Sequence, residues 1–315
     1  MSQPIVVVTR RVFPEVLERL AEFEVIDNQE DIQLDAEGIA RRSMEADFIL
    51  STVTDRIDAS VLAHAAQLKA VCNIGVGYNN IDVSACCKRG VMVTNTPDVL
   101  NETTADMAFA LLLATARRVT EAEAYLRNGE WKRWEIEQLL GVDVYGSTLG
   151  ILGMGRIGSA IARRARGFGM NVIYQNRSRA QDEQGAQWVD KETLLRTADH
   201  VVLVLPYSAA THHTIAEAEL ALMKPTAILI NIARGGIVDD AALARALKSG
   251  RIGGAGLDVY EHEPALHPAL LECRNVVLTP HIGSATRSTR LAMCNLAVDN
   301  LLAIGAGQTP LNAVS

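Results

Sequence analysis

No apolar run in this sequence approaches the ~20 residues that a membrane-spanning helix needs, so no membrane partner is expected. No basic block offsets the net charge of −7, which argues against a nucleic-acid surface. The five cysteines, at 72, 86, 87, 273 and 294, are odd in number and include no Cys-x-x-Cys pair. That fits reduced thiols in a cytoplasmic protein, with Cys86 and Cys87 on a packed helix. Low-complexity tracts and short repeats are missing. Met1-Ser-Gln-Pro leads directly into the strand-like Ile5–Val8, so no secretory leader is expected. What remains is an ordinary globular balance, 49% hydrophobic and 21% charged, in 315 residues, enough for two domains with separate cores.

The chain is organised around residues 147–169. A short apolar run at 149–152 is followed by glycines 153, 155 and 158 and then by a helical pattern that closes at Gly167 and Gly169. A lone G-x-G-x-x-G is weak, but between a strand and a helix it reads as a dinucleotide fingerprint. Gly153 allows the tight turn, Gly155 lets backbone approach a pyrophosphate, and Gly158 lets helix and strand pack closely. The unusual feature is its position halfway along the chain.

Before that motif, apolar runs at 5–8, 23–26, 48–51, 68–72 and 91–93 read as strands, and patterns opening at Pro14 and spanning 59–66 and 83–88 read as helices. Strands alternating with helices imply crossover connections and a parallel sheet, an α/β architecture. The segment 73–82 carries Gly75 and Gly77 after a strand. It suits either a backbone cradle for a carboxylate or a plain surface turn. Asn101 is a good helix N-cap, and eight consecutive apolar residues at 107–114 suggest a helix buried on most sides, between domains or subunits. Arg117 and Arg118 complement the dipole of that helix. Residues 120–146 look less regular, and Trp131 and Trp134 there suit either a dimer interface or ordinary packing.

After the glycine motif, the second strand at 170–175 leads into Asn176-Arg177-Ser178-Arg179. NAD-binding folds place an acidic residue there for the ribose hydroxyls. Two arginines in its place would attract a ribose 2′-phosphate, which favours NADP(H), with NAD(H) possible at lower efficiency. Further strands at 201–205, 227–231, 255–259 and 276–278 complete a second sheet. The last three lead to Arg234, to Asp258 and Glu263, and to His281. Ligands of open α/β sheets bind beyond the carboxyl ends of strands, so these residues share one crevice. The trio fits reduction of a 2-oxo acid: His281 delivers a proton, Glu263 orients it and favours imidazolium, and Arg234 holds the carboxylate and carbonyl oxygens. No residue set reads as a metal site. His212 and His213 lack a partner at useful spacing, the side chain of His262 points away from that of Glu263 if the segment is extended, and His64 and His200 read as surface or packing residues.

These residues stand in stretches that resemble the D-isomer-specific 2-hydroxyacid dehydrogenases along nearly the whole chain. The matching stretches are 75–82, 102–106, 153–158, 231–239, 256–264 and 280–286. The resemblance implies that Arg234, Glu263 and His281 are the catalytic set and that Val76 and Gly77 offer backbone contacts to the substrate carboxylate. It further implies that Asp258 meets the nicotinamide carboxamide and that Thr104, Arg156, Ile157 and Ala233 line the cofactor. Pro206 and Gly283, just beyond strand ends, are taken with the cofactor set. The fold implied is two Rossmann-like or flavodoxin-like domains with parallel sheets, the cofactor domain inserted into the substrate domain. Residues 1–98 and 288–315 would form the substrate domain, with a final helix at about 289–304, and residues 99–287 the NADP-binding domain. A homodimer through the cofactor domains is expected. Within the family the chain looks most like glyoxylate/hydroxypyruvate reductases and 2-ketogluconate reductases, which share the Asn176-Arg177 type of strand end. Residues 137–140 lack the tryptophan that some glyoxylate reductases carry, which keeps all three substrates open. The alternatives are an NAD-dependent D-2-hydroxyacid dehydrogenase of other specificity and a dinucleotide-sensing corepressor of the same fold. The intact Arg, Glu and His favour turnover over the latter.

Overall fold

The structure, a computed structural model, describes residues 3–314. The chain divides into two compact units, one running to Leu100 and resuming at Ala285, the other spanning Asn101–Ser284.

The first unit holds strands β1 (Ile5–Val8), β2 (Glu24–Ile26), β3 (Phe48–Thr52), β4 (Ala70–Ile74) and β5 (Met92–Thr94). They pair in parallel in the order β2-β1-β3-β4-β5. The continuous apolar runs arise because both faces are covered. Val7, Ile49, Val71 and Val93 enter one core layer, while Val6, Val8, Phe48, Leu50, Ala70 and Cys72 enter the other. The second layer is completed from the far end of the chain by helix Arg287–Gly305, which contributes Cys294, Ala297, Val298, Leu301 and Ile304. All five cysteines are free thiols; Cys86 is buried and Cys87 exposed on helix Val83–Lys88.

The second unit holds β6 (Thr148–Leu152), β7 (Asn171–Gln175), β8 (Gln187–Trp188), β9 (His200–Leu203), β10 (Ile228–Asn231), β11 (Gly254–Leu257) and β12 (Val276–Leu278). All pairs are parallel, in the order β12-β11-β10-β9-β6-β7-β8. The chain runs outward from β6 to β8, then returns to β9 and runs to the other edge. Between β6 and β9 the connections diverge, and that switch point is where such sheets bind ligands.

Helix Asn101–Ala116 spends its apolar residues on this second sheet. Ala105, Ala108, Phe109, Leu111 and Leu112 pack with Leu149, Ile151, Val202 and Ile230. Its near-uniform hydrophobicity therefore reflects a place in the core of one unit. Segment 120–146 is more regular than expected, because helix Val119–Arg127 forms at its start. Arg118 takes a left-handed backbone (φ 52°) that ends the preceding helix, and its guanidinium grips both oxygens of Glu121 at 2.8 and 2.7 Å. Helix Val119–Arg127 buries no residue, and its apolar Val119 and Leu126 are exposed. Trp131 and Trp134 are 52% and 73% exposed, which removes packing within the chain as their explanation. Among the described residues no helix is long and apolar enough to cross a membrane.

Candidate active site

Three neighbouring strands of the second sheet end in polar turns. At the end of β10, buried Asn231 accepts from the Ala233 N–H at 3.1 Å and donates to the Arg234 carbonyl at 3.2 Å. That closes the turn and delivers Arg234, half-buried, with its Nη1 donating to the Ala233 carbonyl at 2.8 Å. Gly235 is required here: a Cβ would lie 1.6 Å from the Tyr260 carbonyl oxygen, so the β10 and β11 loops touch backbone to backbone.

At the end of β11, Asp258 is buried and acts as a clamp. Its carboxylate accepts from the Thr279 hydroxyl at 2.7 Å, the Ile282 N–H at 2.8 Å and the Gly283 N–H at 2.7 Å. Its carbonyl accepts from the His281 N–H at 3.0 Å. The β12 loop is thus folded around one side chain, with His281 held in a left-handed conformation (φ 51°), uncommon for a side-chain-bearing residue and frequent where function sits. The Tyr260 hydroxyl lies within reach of both the Leu257 and Thr279 carbonyls, at 3.0 and 2.8 Å. Its N–H donates to Glu263 Oε1 at 2.9 Å.

Glu263 Oε2 then meets His281 Nδ1 at 2.7 Å. A carboxylate only accepts, so Nδ1 carries the proton of this bond and Nε2 is left to give or take one. Burial would raise the Glu263 carboxyl. The hydrogen bond and charge of His281, the Tyr260 N–H and the charge of Arg234 outweigh it and hold the group below the usual carboxylate range. Burial lowers the Arg234 guanidinium while the charge of Glu263 works against that. Arginine stays cationic through such shifts. Imidazole, carboxylate and guanidinium thus lie at adjoining strand ends, coupled electrostatically.

On the other side of the switch point, the glycine turn after β6 joins strand to helix at close quarters. A Cβ on Gly158 would fall 2.2 Å from the Gly153 carbonyl oxygen, while one on Gly155 would meet nothing within 4 Å. Protein packing therefore demands the third glycine, and open space remains at the second. Helices beginning after Asp35, Asp58, Asp82, Asp190 and Asp239 have a side-chain cap. Helix Arg156–Gly167, which follows the glycine turn, has no side-chain cap, as is also true of helices Pro14–Glu18 and Val119–Arg127. Arg156 and Ile157 open that helix. Asn176 braces the glycine turn, accepting from the Met154 N–H at 2.7 Å and donating to the Met154 carbonyl at 3.3 Å. Arg177, Ser178 and Arg179 are exposed beyond β7, and neither arginine forms an ion pair among the described residues. The Arg179 guanidinium lies 5.9 Å from the centroid of Trp188, whose Nε1 donates to the Asn176 carbonyl at 3.2 Å. Pro206 is exposed beyond β9 and Ala233 is buried. A Cβ on Gly283 would lie 3.1 Å from Asp258 Oδ2 and 3.6 Å from Thr104 Cγ2, so these three residues adjoin.

Val76 and Gly77 belong to the first unit, in the loop after β4. The carbonyls of Gly75, Val76 and Gly77 accept from Thr96 N–H (3.0 Å), Asn95 Nδ2 (2.8 Å) and Asn73 Nδ2 (3.0 Å). Because a trans peptide sets N–H opposite C=O, anchoring the Gly75 and Val76 carbonyls turns the Val76 and Gly77 N–H groups away from those anchors.

The reading of His212 and His213 as lacking a partner is overturned. His213 Nε2 lies 2.6 Å from Glu261 Oε1, a residue 48 positions away that local spacing could not connect. Asn231, Tyr260 and Thr279 were not singled out in the sequence. For Asn231 a signal existed, a lone amide at the end of an otherwise apolar strand.

A model of the D-isomer specific 2-hydroxyacid dehydrogenase NAD-binding domain matches residues 109–283, more than half the chain. The chain belongs to the D-isomer specific 2-hydroxyacid dehydrogenases. This dehydrogenase is 47% identical over 321 residues to the glyoxylate reductase of Thermococcus litoralis, covering 99% of this chain and 97% of that one. It is similar to a solved protein of Thermus thermophilus, with TM-score 0.92, 45% identity and coverage of 99% and 100%. It is also similar to the NADPH-dependent glyoxylate/hydroxypyruvate reductase of Sinorhizobium meliloti, solved with NADP and malonate, with TM-score 0.91, 38% identity and coverage of 100% and 97%. The two parallel sheets of this dehydrogenase are those of its solved relatives, and its second unit carries the matched NAD-binding domain.

Proposed function

We propose that this dehydrogenase reduces glyoxylate, and the related 2-oxo acids hydroxypyruvate and 2-ketogluconate, to D-2-hydroxy acids with NADPH. The observation that carries the reading is the 2.7 Å His281–Glu263 pair electrostatically coupled to Arg234 at adjoining strand ends. Glyoxylate comes first because relatives about as similar as that of Thermococcus litoralis bear the name glyoxylate reductase. The bound nicotinamide supplies the hydride. Arg234 binds the substrate carboxylate and carbonyl oxygen, a planar fork on a planar target. His281 passes the proton on Nε2 to the carbonyl oxygen as charge develops there, and Glu263 holds the ring by Nδ1 and balances the imidazolium. The Val76 and Gly77 N–H groups are assigned to the substrate carboxylate.

The dinucleotide is assigned to the glycine turn, with the pyrophosphate on the uncapped helix at Arg156 and Ile157, and with Thr104, Pro206, Ala233, Asp258 and Gly283 along its length. Arg177 and Arg179 are assigned to the ribose 2′-phosphate, since no carboxylate among the described residues pairs with them; NADH serves at lower efficiency. Residues 99–287 form the cofactor half of this reading, and residues 1–98 with 288–315 the substrate half. Exposed Leu126, Trp131, Trp134, Ile136 and Leu140 support a homodimer through the cofactor half. An initial-rate panel of glyoxylate, hydroxypyruvate, 2-ketogluconate and pyruvate, each with NADPH and NADH, tests the reading. Glyoxylate with NADPH is expected to give the largest kcat/KM; equal rates with both cofactors would overturn the cofactor assignment.

A further inference from the structure

We propose that His212, His213 and Glu261 form a binding site for a divalent transition-metal ion of the zinc class, apart from the residues assigned to catalysis. One nitrogen of each imidazole and one carboxylate oxygen already lie within 4.8 Å of one another. Two features of the fold bring them together. His213 adopts a left-handed backbone (φ 49°), and the consecutive rings of His212 and His213 stack with centroids 3.8 Å apart and planes at 21°, so an ion takes both only as one ring turns about its side-chain torsions to aim its in-plane lone pair at the shared point. Glu261 arrives from the β11 loop, its N–H held by Asp240 Oδ2 at 3.1 Å, and places Oε1 2.6 Å from His213 Nε2.

The surroundings orient the set. The His213 N–H donates to the Gly236 carbonyl at 2.7 Å. The Tyr207 hydroxyl sits 3.3 Å from His212 Nδ1, the kind of outer partner that sets the ring of a metal-ligating histidine. A Cβ on Gly236 would lie 2.9 Å from the Tyr207 ring and 3.4 Å from His212 Nδ1, so glycine there keeps the corner open. Two imidazoles and one carboxylate suit zinc, nickel or copper and not calcium or magnesium, which take oxygen ligands. With three protein ligands, one position remains for water. Glu261 lies two residues before Glu263, so an occupying ion ties the 206–213 loop to the loop that carries the catalytic carboxylate.

The test is a titration of the metal-free full-length protein with cobalt(II), followed by visible absorption, and with zinc chloride, followed by calorimetry and thermal unfolding. Wild type, His212→Ala, Glu261→Gln and the control His64→Ala are compared without substrate or cofactor. His212 and His64 are exposed, so their variants keep the fold. The expected result is one equivalent bound with tetrahedral-type cobalt absorption and a zinc-induced rise in Tm, each weakened about tenfold or more in His212→Ala and Glu261→Gln and unchanged in His64→Ala. Equal binding by all four proteins, or no saturable binding by wild type, would overturn the site and leave a plain His213–Glu261 hydrogen bond. Neither outcome depends on which 2-oxo acid the enzyme reduces.

Discussion

The stretch 258–263 carries two glutamates, and each has found an imidazole. Glu263 meets His281 at 2.7 Å and Glu261 meets His213 at 2.6 Å. The exposures nearly match, 30% and 24% for the first pair and 33% and 21% for the second. Distance and burial therefore cannot tell a proton donor from a neighbour. Two other features can. Glu263 takes Nδ1 of its histidine and leaves Nε2 for chemistry, whereas Glu261 takes Nε2 itself. The first pair also feels a cation, Arg234, from the next strand end, while the second is backed by another imidazole and a tyrosine hydroxyl. A Glu–His pair becomes an acid–base device through the nitrogen it leaves and the charge beside it.

That contrast can be broken at several points. Arg234→Ala removes the cation from the first pair and should lower kcat/KM for glyoxylate by about a thousandfold or more, measured by initial rates with NADPH. Glu263→Gln should cost about ten- to a hundredfold in kcat, since the amide oxygen can still accept from Nδ1 and hold Nε2 in place while the counter-charge is lost. The wild-type carboxyl, held below its usual range, adds stability above its unfolded-state pKa, and that stability is lost as pH falls through the lower folded-state value. Acid unfolding of Glu263→Gln should be correspondingly shallower in that window. Arg177→Ala should reduce kcat/KM with NADPH about tenfold or more and change it little with NADH; equal losses would make Arg177 structural.

The smallest effect belongs to a third histidine that has no glutamate. Buried His200 meets the Asp143 carbonyl at 3.2 Å through Nε2, and no partner reaches its buried Nδ1 among the described residues. Burial lowers its pKa, only partly offset by that bond and by Asp199. As pH falls below ~6.5 the unfolded chain takes up a proton that the folded chain refuses, so stability drops. His200→Leu should remove a slope of at most about 1.4 kcal/mol per pH unit, read from urea unfolding at several pH values.

Much of this was legible in the sequence where chain order and spatial order coincide. Short apolar runs alternating with helical patterns announce parallel sheets with both faces covered, and a residue just beyond such a run must sit at the sheet's ligand-binding edge. Arg234, Glu263 and His281 are readable by that rule. Residues whose meaning lies in a partner from another strand are not. Asp258 clamps a loop more than twenty residues on, Asn176 turns back to Met154, and Glu261 crosses to His213. Helix Val119–Arg127 is a short nine-residue stretch whose apolar Val119 and Leu126 stay exposed, so no run of core residues marks it in the sequence.

The central claim is that the pair with a free Nε2, and not its near-twin, drives turnover. His281→Ala and His213→Ala, assayed side by side with glyoxylate and NADPH in metal-free buffer and with NADPH binding followed by fluorescence, test it most directly. His281→Ala should lose about a hundred- to ten-thousandfold in kcat with NADPH binding nearly unchanged, and His213→Ala should stay within about threefold of wild type. Comparable losses in both variants, or full turnover without His281, would contradict the account.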